Sequence, residues 1–130
     1  MIIRDLELHE ATSVHEFLRA NGWAHRIGSQ DDFSKLITAS QRKAVAINPA
    51  GHIVGFARGI TDGISNGYLS MVVVAPDQRR KGIGRRLVQH VIGSNSAITW
   101  VLRASREGAV DFFSDLGFSI STVAMERPRA

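Results

Sequence analysis

The chain has 130 residues, a length that suits one compact domain spanning residues 1–130. Hydrophobic residues make up 44% and charged residues 22%, a balance that excludes a disordered chain and points to a soluble globular one. Sixteen Lys and Arg against twelve Asp and Glu give a formal charge of +4, and with no cysteine there can be no disulfide, thiolate zinc site or cysteine nucleophile.

The opening MIIRDLELHE carries acidic groups at once and lacks a long apolar core, so no secretory leader is expected. The longest apolar run, Met71–Ala75, is far too short to span a bilayer, and a cytoplasmic protein is the expectation. Ile2–Leu8 reads as a first strand. Glu10–Ala20 reads as a helix with Val14, Phe17 and Leu18 on one face, stopped at Asn21-Gly22. Gln30–Ala39 is a second helix, with Asp31 and Asp32 near its positive end and Phe33, Leu36 and Ile37 on one face. Lys43–Ile47 and His52–Ile60 read as a hairpin around the turn at residues 48–51. After a turn over residues 61–67, Tyr68–Ala75 is the most apolar strand and the expected centre of the sheet. From Gly82 an amphipathic helix carries Ile83, Leu87, Val88, Val91 and Ile92 and ends near Gly93. Ala97–Leu102 is a strand, Glu107–Leu116 a helix capped by Gly117, and Phe118–Met125 a last strand. This is an α/β (α+β) order. It predicts a mixed, mostly antiparallel sheet with one right-handed parallel crossover over Tyr68–Leu102.

The stretch VVVAPDQRRKGIGRRL places Arg79, Arg80, Lys81, Arg85 and Arg86 around Gly82 and Gly84 at the start of that helix. Amides at a helix start have no internal partner, and the helix dipole adds positive potential there. Glycines let a ligand approach the backbone, and the basic side chains attract anions, so a pyrophosphate suits the stretch. A P-loop would need Gly-Lys-Ser/Thr, and Arg85 follows Gly84 here. The dinucleotide fingerprint needs a third glycine where Leu87 stands.

Arg79-x-x-Gly82-x-Gly84 after Val74-Ala75-Pro76 resembles the acyl-CoA pyrophosphate motif of the GNAT superfamily of N-acetyltransferases. Ala109–Phe118, AVDFFSDLGF, is similar to a second segment of that family, and the strand order agrees. The stretch Gly55–Gly63 followed by Tyr68 most resembles small-amine acetyltransferases of the superfamily. The resemblance implies the GNAT fold, acetyl-CoA as cofactor and acetyl transfer to a primary amine of a small molecule. It places the pantetheine arm on the backbone of Val72, Val73 and Val74 and the pyrophosphate on Arg79, Arg80, Lys81, Gly82, Ile83, Gly84 and Arg85. It also places Arg106 and Phe113 beside the cofactor, and it assigns the backbone N–H of Val73 or Val74 to polarise the thioester carbonyl. The family often carries an acid where this chain has Met71, a Tyr where it has Phe113 and an Asn where it has Arg106. The usual acid–base pair is therefore absent, and Asp62 through water, Tyr68 and Ser70 are the catalytic candidates. A thiol with a pKa of about 8.5 leaves without an acid's help, whereas an alkylamine near 10.4 must lose a proton. Trp23 and Met71 are the candidate acceptor-pocket residues, Trp23 as a wall or a cation–π platform.

Other readings have less support in the residues. GISNG, Gly63–Gly67, matches a hydrolase nucleophile elbow in letters but is followed by a strand pattern instead of a helix. The five histidines show no metal-ligand spacing, so no metal is expected. No partner nucleic acid is expected either, because the basic stretch lacks interleaved aromatics. An acyl-CoA-sensing domain without turnover and a protein N-acetyltransferase are the alternatives. No membrane partner is expected, and the oligomer, monomer or homodimer, is left open.

Overall fold

The computed structural model describes residues 1–130. Five strands, β1 Ile2–Asp5, β2 Arg42–Ile47, β3 Ile53–Thr61, β4 Asn66–Val74 and β5 Thr99–Val101, form one sheet in chain order. The first four pair antiparallel, and β5 alone runs parallel to β4. The helices are α1 Ala11–Leu18, α2 Ala24–Ile27, α3 Gln30–Ala39, α4 Ile83–Ile92 and α5 Ala109–Ser114. None of them is long and apolar enough to cross a membrane.

Alternation along the strands divides two cores. On one face Val45, Phe56, Met71 and Val73 pack against Val14, Leu18, Ile27, Phe33 and Ile37 from α1, α2 and α3. On the other face, Ala44, Ala46, Val54, Ala57 and Leu69 receive Ile83, Leu87, Val88 and Val91 of α4. The sheet surface under α4 is made of small residues for a steric reason. A Cβ at Gly59 would stand 2.7 Å from Val91 Cγ1, and one at Gly55 would stand 2.9 Å from Leu87 Cδ1. The crossover helix therefore lies close on the sheet. Each large α4 side chain buried there contributes on the order of 1.5–3 kcal/mol. Arg42 closes the far end of α4, donating from Nη1 to Val91 O at 2.9 Å and Ile92 O at 3.2 Å. Its guanidinium also lies over the Trp100 ring.

Local chemistry sets the element ends. α3 starts at Gln30, as the sequence predicts, where Ser29 Oγ accepts the Asp32 amide. β1 stops at Asp5, short of the expected Leu8. Glu7 and Glu10 form a capping box there, and Arg4 makes two 2.8 Å bonds to the Glu10 carboxylate. α1 ends before Asn21-Gly22 as expected, with Asn21 Nδ2 donating to Phe17 O at 2.7 Å. A wide turn over Arg19–Trp23 then leads directly into α2, a four-residue helix that the apolar pattern does not announce. His15, buried on α1, ties this segment down through a 3.0 Å bond between Nε2 and Gly28 O.

The expected last strand, Phe118–Met125, does not form. Ser121 Oγ accepts the amides of Val123 and Ala124 and bends the backbone into a turn. Ile120, Val123 and Met125 are exposed in consequence. The expected strand Ala97–Leu102 shrinks to Thr99–Val101, because Asn95 holds the amides of Ala97 and Ile98 in a turn.

Candidate active site

The site begins with an irregularity in β4. Phe56 stands opposite Val73 and Arg58 opposite Ser70, so β4 carries one extra residue between those pairs. Met71 absorbs it with φ of 55°, a conformation uncommon outside glycine. Pairing of β4 with β5 covers only Asn66–Tyr68 against Thr99–Val101. Where that pairing stops, a cleft of about 290 Å³ opens. Tyr68–Val72 form its floor, α2 and the turn before it form one wall, and Leu102–Phe113 form the other.

Val74 lies past the bulge at the end of β4. Ala75 N–H donates to Val54 O at 2.8 Å, and Val74 O accepts from Arg79 Nε at 3.2 Å. An antiparallel ladder alternates, so Val73 turns its amide toward β3 and Val74 turns its own toward the open edge. Of the two amides expected to face a ligand, Val74 is the free one. The Val73 side chain is buried in the core, while Val72 lines the cleft.

The loop into α4 follows. Arg80 has φ of 64° and Gly82 has φ of 79°, both left-handed, and Gly82 is the N-cap of α4. No side chain caps that terminus. The first intrahelical bond runs from Arg86 N–H to Gly82 O, so the amides of Ile83, Gly84 and Arg85 have no acceptor one turn back. A side chain at Gly82 would meet nothing within 4 Å, so the requirement there is the φ angle and access. Gly84 has a packing requirement as well: its Cβ would stand 3.0 Å from Phe112 Cζ, so its missing side chain makes room for α5. Ile83 gives its side chain to the core and only its backbone to the loop. Arg79, Arg80, Lys81, Arg85 and Arg86 are exposed and none is in an ion pair. The uncapped amides, the left-handed Gly82 and these cations fit a pyrophosphate.

The expected catalytic residues separate. Tyr68 and Ser70 are on the cleft floor. Asp62 is not in the cleft; it closes the β3–β4 turn. Its carboxylate accepts the amides of Ile64, Ser65 and Asn66 and the Ser65 hydroxyl. The Ser65 hydroxyl and those amides hold it well below the usual carboxylate range, which makes it a poor proton acceptor. The GISNG letters belong to this turn and the start of β4, with no helix after them.

Trp23 and Met71 both line the cleft, Met71 with most of its side chain in the core. The face of Trp23, expected as a platform for an amine, is covered by Arg106, whose guanidinium carbon is 5.7 Å from the ring centroid. Phe113 lines the cleft and packs edge-on against Phe112 and Phe118. Sequence reasoning missed Arg26 and Arg103 as lining residues, because α2 and the end of β5 read as connections. It also missed Arg58, half-buried on β3 opposite Ser70, where Nη1 donates to Ser40 Oγ and Nε has no partner. Burial lowers the pKa of that guanidinium, with Tyr68 opposing in part.

A family model described as an acetyltransferase (GNAT) domain matches residues 8–127. Peptidyl-lysine N-acetyltransferase YjaB of Escherichia coli (strain K12) is 30% identical over 77 residues, 59% of this chain and 49% of that protein. The match thus spans about half the length of that relative. The crystal structure of a Trypanosoma brucei acetyltransferase is similar at TM-score 0.74 and 25% identity, covering 98% of this chain and 99% of that one. The structure of AAC(6')-Iy with the bisubstrate analog CoA-S-monomethyl-acetylneamine is similar at TM-score 0.75 and 19% identity, covering 99% and 98% of the two chains.

Proposed function

The chain belongs to the GNAT acetyltransferase family and is an acyltransferase, and from that premise we propose that it moves an acetyl group from acetyl-CoA to the primary amine of a small molecule. The observation that carries this reading is the coincidence of two features around α5. Phe112 packs on the uncapped start of α4, and its neighbour Phe113 lines the cleft left where β4 and β5 part.

The amides of Arg80–Arg85, with Arg79 and Lys81 beside them, would hold the pyrophosphate at the helix start. The open backbone edge at Val72 and Val74 would take the pantetheine arm as a ligand-made strand. The Val74 amide is the donor that the geometry leaves for a carbonyl oxygen. Acetyl-CoA supplies an acetyl thioester for the amine to attack; as the C–N bond forms the C–S bond breaks, and the thiolate leaves without an acid and takes its proton from solvent. Tyr68 and Ser70 present hydroxyls on the cleft floor that would orient the amine. With no carboxylate lining the cleft, its proton passes to water at the open mouth.

A second reading takes a lysine side chain of a protein as acceptor, because the Escherichia coli relative is named a peptidyl-lysine N-acetyltransferase. An acceptor screen that follows thiol release with acetyl-CoA separates the two. Turnover on small amines supports the proposal, and turnover on peptides alone overturns it. Tight acetyl-CoA binding with no turnover on any amine would instead favour a sensing domain.

A further inference from the structure

Arginines come from both walls of the cleft, and no acid lines it. Arg26 comes from α2, Arg103 and Arg106 from the segment after β5, and no Asp or Glu joins them. Arg103 is paired with Glu126 at 2.9 Å, but Arg26 and Arg106 have no carboxylate within ion-pair distance. Arg106 is not loose: its stack on Trp23 holds the guanidinium in the cleft that Arg26 also lines. Outside the lining, half-buried Arg58 stands on β3 opposite Ser70 with no carboxylate partner, bonded only to the neutral Ser40 hydroxyl. A pocket for a cationic acceptor such as a diamine would be expected to carry carboxylates, since like charges repel across a low-dielectric cleft.

Resting on the acetyl-transfer reading above, we infer that the acceptor is a primary amine that also bears an anionic group, a carboxylate or a phosphate, which Arg26 and Arg106 bind. A guanidinium presents a planar fork of donors that matches either anion. The anion on Arg26 and Arg106 would leave the amine over Tyr68 and Ser70. These two arginines are not needed for the cofactor's phosphates, because Arg79–Arg86 already crowd the start of α4 beyond the far end of β4.

The test compares acceptors of similar length with acetyl-CoA saturating: 3-aminopropanoate and 2-aminoethyl phosphate against propylamine and 1,3-diaminopropane. Thiol release gives kcat/KM for each, and calorimetry measures acetyl-CoA binding separately. The expected result is that at least one anionic acceptor exceeds both others by about tenfold or more, as one well-placed charge pair allows. The two anionic arms tell carboxylate from phosphate. Arg26→Glu should abolish the preference through the acceptor KM and leave the KM for acetyl-CoA unchanged. Equal or better turnover of propylamine or the diamine overturns the inference, as does an Arg26→Glu effect confined to the KM for acetyl-CoA. Absent acetyl-CoA binding takes down the acetyl-transfer reading along with it. Intact acetyl-CoA binding with no charge preference takes down the anionic acceptor alone.

Discussion

At the scale of single residues, backbone angle and hydrogen-bond inventory decide what each group can do. Gly82 holds φ of 79° in open space, so a side chain there clashes with nothing yet meets the left-handed penalty of about 1–2 kcal/mol. Gly82→Val should therefore fold, rotate the loop amides out of line, and weaken acetyl-CoA binding by about tenfold or more in calorimetry. Unchanged affinity would remove the loop from the binding site. Asp62 makes the opposite case. Its oxygens are committed to the β3–β4 turn, so Asp62→Ala should lower the melting temperature and leave kcat/KM as it was, measured with the same acceptor. A large loss of kcat in a folded protein would return Asp62 to the catalytic site. The sequence marks Asp62 as a polar residue near the expected site but cannot tell a turn cap from a base, because both need a carboxylate followed by small polar residues. The glycine pair was legible as a helix start, yet only the coordinates separate the φ requirement at Gly82 from the packing requirement at Gly84.

Among the elements, those with a chemical stop at each end were the legible ones. α3 runs Gln30–Ala39, as expected from Asp31, Asp32 and its apolar face, and α4 runs Ile83–Ile92, as expected from Gly82 and Gly93. The expected last strand has an apolar spacing that suits a ladder, but Ser121 offers its own turn and β5 is only three residues long. α2 was missed because four residues carry too little periodicity, and its position depends on a tertiary bond from His15. Packing between α4 and α5 gives a prediction at this scale. Gly84→Leu must push Phe112 away, so α5 should shift, with a stability loss of about 1–3 kcal/mol and weaker acetyl-CoA binding. Denaturant unfolding and calorimetry on that variant check both, and a variant as stable as the parent would show that the α4–α5 contact is slack.

For the molecule as a whole, acid and ligand act on the folding equilibrium in ways the site does not determine alone. Hydrogen bonds from Arg4 lower the Glu10 pKa below its unfolded value near 4.5, against an opposing effect of burial. The pair therefore contributes stability that is fully present above pH 4.5 and is lost as the pH falls through the lower folded value. Glu10→Gln should reduce stability at neutral pH and flatten this part of the acid limb, measured by urea unfolding from pH 7 to 3. Because β1 meets α1 through this pair, the effect should appear in the global transition. Acetyl-CoA should stabilise the fold by about 2.7 kcal/mol at a hundredfold excess over its Kd if it binds only the native state. Cofactor binding depends on one arrangement, an open β4 edge that leads to uncapped amides at the start of α4. The most direct measurement is a coenzyme A titration followed through backbone amide resonances. It should shift Val74 and Lys81–Arg85 most strongly and together. Shifts confined to exposed lysine and arginine side chains, or a spectrum that does not change, would contradict it.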